Sequence, residues 1–130
     1  MKKSFTLIEL MLVVIIIGVL ASLVVPHLAG RAERARRVAA GADIEANIPS
    51  GLDLYEMDMG AYPQTIEELV ENSSGDTNWQ GPYLKKIPKD PWGKEYSYKY
   101  PGEHNTSYYD LASLGRDGIL GSEDDIKNWE

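Results

Sequence analysis

Two sets of carboxylates are the residues of this 130-residue chain best suited to chemistry. The first is Glu9, a single acid at the edge of an uncharged run of sixteen residues from Leu10 to Val25. A carboxylate in hydrocarbon costs about 2.5–3.5 kcal/mol even on permissive insertion scales, so Glu9 requires a cationic partner. The second set is Asp117, Asp124 and Asp125, interleaved with Gly115, Gly118 and Gly121. Carboxylate oxygens are hard ligands suited to Ca²⁺, and glycines let the backbone turn its carbonyls inward. The EF-hand pattern ending in Glu is absent, so on the residues alone a calcium site and a solvated acidic tail both remain open. His27 and His104 are the only histidines. Lying far apart in sequence, they make a zinc or catalytic pair untenable, and each is expected to be solvated. With no cysteine there is no disulfide, thiolate nucleophile or thiolate metal site. No nucleophile elbow, phosphate loop or zinc helix occurs. The chain is not expected to be an enzyme.

The element that must position Glu9 is the apolar run itself. Together with Phe5, Thr6, Leu7 and Ile8 it approaches the ~20 residues that span a bilayer. A cleaved secretory signal would need small residues at its cut site, which Val24-Val25-Pro26-His27-Leu28 does not supply. A helix in a soluble core would show a polar face, and this run has none. A membrane helix is left, and Lys2 and Lys3 can snorkel toward Glu9 from the surface. Alternatively, a cut just before Phe5 would create an α-amine one helical turn from Glu9. The same amine on a neighbouring copy could then neutralise the carboxylate, making Glu9 an assembly site.

Charge divides the chain. Residues 1–37 carry six Lys or Arg against two Glu, a net +4, so the overall −7 leaves −11 for residues 38–130. An acidic head without a basic stripe excludes nucleic-acid binding. Arg31, Arg34, Arg36 and Arg37 follow the apolar run, and the positive-inside rule taken alone would put the head in the cytoplasm. These arginines are expected to meet lipid head groups or acids of adjacent subunits.

Beyond Pro26, where the helix should kink or loosen, residues 29–59 favour helix. Ile44, Ile48, Leu52, Tyr55 and Met59 fall on one narrow stripe that should carry the head. Gly60 is the expected stop, and a bend is expected near Pro49. A short helix capped by Thr65 should cover Thr65 to Val70. Proline-rich loops follow, then an antiparallel pairing of Glu95 to Tyr100 with Ser107 to Ala112, Tyr96, Tyr98 and Tyr100 sharing one face. The tyrosines and Trp92 are read as packing rather than a ligand platform. The fold class is α+β: a long N-terminal α-helix, half transmembrane and half amphipathic, packed on a small antiparallel sheet.

The leader Lys2-Lys3-Ser4 followed by Phe5-Thr6-Leu7-Ile8-Glu9-Leu10 resembles the processing site of type IV pilin-like proteins. The resemblance implies that a prepilin peptidase cuts between Ser4 and Phe5 and N-methylates Phe5, and that Glu9 guides the subunit into a filament. The family usually has Gly before the cut, where this chain has Ser4, another small residue. Further along, Gly81-Pro82-Tyr83-Leu84, Pro88-Lys89-Asp90-Pro91-Trp92-Gly93, Pro101-Gly102-Glu103-His104 and the stretch from Tyr109-Asp110-Leu111 to Gly115 resemble the major pseudopilin family of type II secretion systems, as does the tail from Asp117 to Trp129.

What this second resemblance implies is a pilin-like fold divided into a leader (1–4), a membrane and assembly helix (5–28), an amphipathic helix (29–60) and a head with a C-terminal calcium loop (61–130). It further implies Ca²⁺ bound by the side chains of Asp117, Asp124 and Asp125 and the carbonyls of Leu114 and Ser122. The implied partners are copies of the chain itself, the prepilin peptidase, minor pseudopilins, an inner-membrane assembly platform with its ATPase, and membrane lipid before assembly. The head would be periplasmic, opposite to the charge rule, and the filament would aid export of folded proteins across the outer membrane. Two alternatives remain at this point: a pilin of a surface or DNA-uptake filament, and a membrane-anchored calcium-binding domain that never polymerises.

Overall fold

The computed structural model describes residues 2–129. Two compact units divide the chain, Met1–Ala35 and Arg36–Glu130. Helix α1 runs Leu7–Ala42, passes into a π-helical turn at Asp43–Asn47, and resumes as α2 over Ile48–Met59. A 3₁₀ turn at Ile66–Leu69 follows, then strands β1 (Ser97–Lys99), β2 (Asp110–Ser113) and β3 (Ile126–Lys127).

In the first unit α1 passes through Pro26 while remaining helical. One lost N–H donor does not end a helix this long, and the expected loosening leaves no break in it. The ring of His27 bonds the Leu23 carbonyl at 3.0 Å, so this histidine is tied to its own helix as well as exposed. The large apolar side chains of the run stand exposed, from Leu10 to Val25 and on to Leu28. The segment is long and apolar enough to cross a membrane.

In the second unit the π-helical turn is the structural answer to Pro49. A proline in a regular α-helix would collide with the carbonyl four residues back. Widening the preceding turn so that the Ile48 N–H reaches Asp43 O puts Pro49 at the opening of a new helix instead. The bend expected from the sequence is realised as this bulge. The stripe holds across it: Ile44, Ile48, Leu52 and Tyr55 are buried, and Met59 packs against them partly covered. Gly60 ends α2 with φ of 84°, its N–H bonding Glu56 O. Only glycine takes that left-handed turn without strain.

The sheet is antiparallel in the order β1-β2-β3. Ser97, Tyr98 and Lys99 pair with Ala112, Leu111 and Asp110, inside the predicted hairpin but shorter than expected. Leu111 and Ala112 are fully buried, and Leu111 joins the helical stripe in one core with Tyr62, Ile66, Leu69, Tyr96 and Tyr109. The turn predicted at Thr65 to Val70 is the 3₁₀ element, and Thr65 precedes it without a side-chain capping bond. The Glu68 N–H instead bonds the Thr65 backbone carbonyl at 3.3 Å, the i→i+3 pattern of a 3₁₀ turn.

Tyrosine hydroxyls do much of the stapling that disulfides would otherwise do. Tyr96 donates to Asp43 at 2.6 Å, Tyr83 to Asp58 at 2.7 Å, Tyr62 to Asp53 at 3.2 Å and Tyr55 to Glu68 at 2.8 Å. Three of these acceptors lie on the π turn or α2, so each bond ties the loops and sheet to the helix. Burial first, then the neighbouring carboxylates, push these phenols up, Tyr55 to about 12, so all stay protonated donors at neutral pH.

Candidate functional sites in the N-terminal segment and the C-terminal loop

The N-terminal site begins with five residues, 2–6, that are neither helical nor covered. The Ser4–Phe5 bond therefore sits in non-helical, uncovered chain, with Phe5 92% exposed, where a peptidase could reach it. Glu9 then opens α1. Its Oε2 accepts the Thr6 N–H at 2.9 Å while the Thr6 hydroxyl accepts the Glu9 N–H at 3.2 Å. This is a reciprocal capping box that satisfies two of the orphan donors at the helix start and sets a negative charge at its positive end. The sequence reading did not find this role, although Thr6-x-x-Glu9 is its signature. The two roles are compatible, because Oε1 of Glu9 accepts no hydrogen bond among the described residues. Lys3, Ser4, Phe5 and Glu9 line a shared hollow here.

The C-terminal site is the loop between β2 and β3. Gly115, Gly118 and Gly121 all have positive φ, at 68°, 67° and 90°. Asp117 accepts the Ile119 N–H at 3.0 Å, and Asp125 accepts the Gly121 N–H at 2.6 Å. Ser122 stands between them, its hydroxyl 3.4 Å from Asp125 Oδ1 and also serving Asp117. The Ile119 N–H, the Ser122 hydroxyl and the nearby Lys94 hold the Asp117 carboxyl below its usual range. The loop thus brings Asp117, Ser122 and Asp125 together. Asp124 is turned so that its backbone lies against Gly115, and its carbonyl accepts Arg37 Nη1 at 3.2 Å. That contact ties Arg37 to its own chain's tail. The Ser122 carbonyl accepts the Asp125 N–H at 3.3 Å. No three carboxylates or histidines among the described residues form one metal-holding group. The donor set, all hard oxygen on a glycine-hinged loop, nevertheless suits Ca²⁺ in kind.

Two anchors flank this loop, and neither was evident in the sequence. Asn128 bonds β2 twice and the residue before it once: its N–H reaches Leu111 O at 3.0 Å, its Oδ1 accepts the Leu111 N–H at 2.9 Å, and its Nδ2 donates to Tyr109 O at 3.0 Å. Trp129 stacks on the His104 ring at 4.4 Å and 11°. His104 is held in turn by the buried Asp110, whose carboxylate is 3.0 Å from its Nδ1 and accepts the N–H groups of Glu103, His104 and Asn105. His104 is therefore a structural clasp and not the simply solvated residue expected, because a buried carboxylate recruits every donor in reach.

A membrane-length helix with an acid at its cap, leading into a helix-on-sheet head, has the architecture of a pilin-like filament subunit. The model for type II secretion system protein G matches residues 27–129, and that for the prokaryotic N-terminal methylation motif matches residues 1–25. The chain belongs to the type II secretion system protein G family. It is 47% identical to the type II secretion system core protein G of Escherichia coli K12, over 98% of this chain and 91% of that one. Against the core protein G of Pseudomonas aeruginosa it is 45% identical, over 99% and 96%. The crystal structure of the major pseudopilin from the type 2 secretion system of enterohaemorrhagic E. coli superposes with a TM-score of 0.67 at 33% identity, covering 78% of this chain and 89% of that one. The chain is accordingly a non-catalytic structural subunit of a secretion pseudopilus, serving protein export across the outer membrane. It is anchored in the inner membrane with its head in the periplasm. The alternatives of a surface or DNA-uptake filament and of a non-polymerising domain are set aside.

Proposed function

We propose that this subunit enters the pseudopilus through a charge pair between Glu9 and the α-amine of a neighbouring, processed Phe5. The observation that carries the proposal is the half-used carboxylate: one Glu9 oxygen closes the capping box and the other accepts no bond among the described residues. In a water-poor setting a free carboxylate lone pair facing an incoming ammonium is strongly favoured, since unpaired charge there is costly. The exposed, non-helical Ser4–Phe5 segment supports cleavage and methylation by a prepilin peptidase. Minor pseudopilins, an inner-membrane platform and its ATPase complete the assembly in this account, since the sequence carries no phosphate-loop motif with which to hydrolyse a nucleotide.

The same account assigns Ca²⁺ to the C-terminal loop, with Asp117, Asp124 and Asp125 as side-chain ligands and the carbonyls of Leu114 and Ser122 as additional donors. Bound there, the ion would neutralise the loop's carboxylates and fix the tail. The loop glycines with positive φ and the convergence of Asp117, Ser122 and Asp125 support it. Mass spectrometry of the N-terminus of the membrane-extracted protein tests the processing: methylated Phe5 is expected, and an intact Met1 would overturn it.

A further inference from the structure

Lys94 lies far from the loop in sequence, yet its ammonium lies against it. A β-carbon at Gly118 would overlap Lys94 Nζ, so the loop offers the cation a seat that any side chain at 118 would fill. The backbone that carries the lysine is also fixed. The Lys94 N–H donates to Asp90 Oδ1 at 2.8 Å, and the Asp90 N–H returns a bond to Lys94 O at 2.7 Å. Asp90 is buried, and its other oxygen accepts the Ser113 hydroxyl at 2.8 Å. That hydroxyl in turn accepts the Gly115 N–H at 3.3 Å, at the entrance of the loop. One buried carboxylate therefore fixes both the backbone that carries the cation and the backbone that opens the loop.

The loop needs such a cation. Asp117, Glu123, Asp124 and Asp125 lie within nine residues that hold no Lys or Arg, with Arg116 just before them. Arg37 reaches the Asp124 carbonyl, and the Lys94 ammonium lies against Gly118, the residue that follows Asp117. We propose that the Lys94 ammonium is a tethered counter-cation of the C-terminal loop, holding it in place without metal and opposing the entry of a divalent cation. This rests on the calcium reading above for its second half only. A positive charge fixed beside the carboxylates lowers the affinity for Ca²⁺ by repulsion, and it spares the metal-free subunit the repulsion among the acids.

The test compares full-length wild type, Lys94→Met and Lys94→Arg in detergent. In EGTA, an arginine-specific protease should release the fragment beginning at Asp117 several times faster from Lys94→Met than from wild type. Lys94→Arg should stay near wild type. In calorimetric titration with CaCl₂ at low salt, Lys94→Met should bind Ca²⁺ on the order of tenfold more tightly than wild type, with the gap narrowing at about 0.5 M NaCl as screening sets in. Equal cleavage rates in EGTA would overturn the holding role. Equal affinities with unequal cleavage would overturn the opposition to metal. Absence of Ca²⁺ binding in wild type and variant alike would sink the calcium reading and that opposition with it, leaving the EGTA comparison to decide the holding role.

Discussion

Replacing Asp110 by Asn should cost the head about 3 kcal/mol. The carboxylate accepts the N–H groups of Glu103, His104 and Asn105 at 2.8, 2.9 and 2.9 Å and holds the His104 ring at 3.0 Å. An amide keeps one acceptor oxygen. Whichever way it turns, its NH₂ faces at least one of those N–H groups, leaving a donor unpaired at about 1–3 kcal/mol. The surviving bonds also lose their charge assistance, which is worth about half their strength. For a unit of this size, each kcal/mol moves the melting temperature by about 4–8 °C. A fall of roughly 15 °C follows at neutral pH. Near-UV circular dichroism of the full chain in detergent is the appropriate assay, because the tyrosines and tryptophans report the head while the membrane helix dominates the far-UV signal.

The pH dependence has a definite sign. Burial pushes the Asp110 carboxyl up, but the N–H groups of Asn105 and His104, then the His104 ring and the Glu103 N–H, outweigh it and hold it below its usual value. A carboxyl lowered on folding contributes stability that is complete above its unfolded pKa of about 3.9 and is lost as pH falls through the folded value. The gap between wild type and Asp110→Asn should therefore be widest near pH 7, begin to narrow below about pH 4 and close as pH falls through the lowered folded value, where the carboxyl is itself protonated. Other acids titrate in both proteins and cancel in the difference. A gap under about 2 °C at pH 7, or one unchanged at pH 3, would refute this reasoning.

Gly115→Ala should destabilise the head by about 2 kcal/mol, since a β-carbon there would overlap the Asp124 carbonyl oxygen at a φ of 68°; unchanged melting would contradict the loop geometry. Asp117→Ala should abolish the heat of Ca²⁺ binding and any calcium-dependent rise in melting temperature, and a titration identical to wild type would return the loop to a solvated tail.

What the sequence disclosed and what it concealed follow a physical division. The stripe from Ile44 to Tyr55, the stop at Gly60 and the pairing of the Tyr98 strand were legible because periodicity and glycine conformation are local properties. The response to Pro49 was legible only as a bend, since whether a helix breaks or widens depends on what packs against it. Strand β3 has two residues, too few for any alternation to show, and it lies in a stretch whose glycines and acids read as loop. The Asn128 and Asp110 anchors were hidden for a different reason. Their partners are mainly backbone groups, which every residue carries and no composition marks. At the N-terminal site the position of Glu9 was legible, but its capping bond to Thr6 was overshadowed by the question of how a membrane tolerates the charge.

The capping box also supplies the sharpest test of the assembly role. Glutamine serves a capping box as glutamate does, so Glu9→Gln removes the charge and leaves the helix start intact. In cells making normal amounts of protein, the Glu9→Gln subunit should be membrane-inserted and cleaved at Phe5, yet yield no pseudopilus and no secretion. Pseudopili and secretion at wild-type levels would contradict the account.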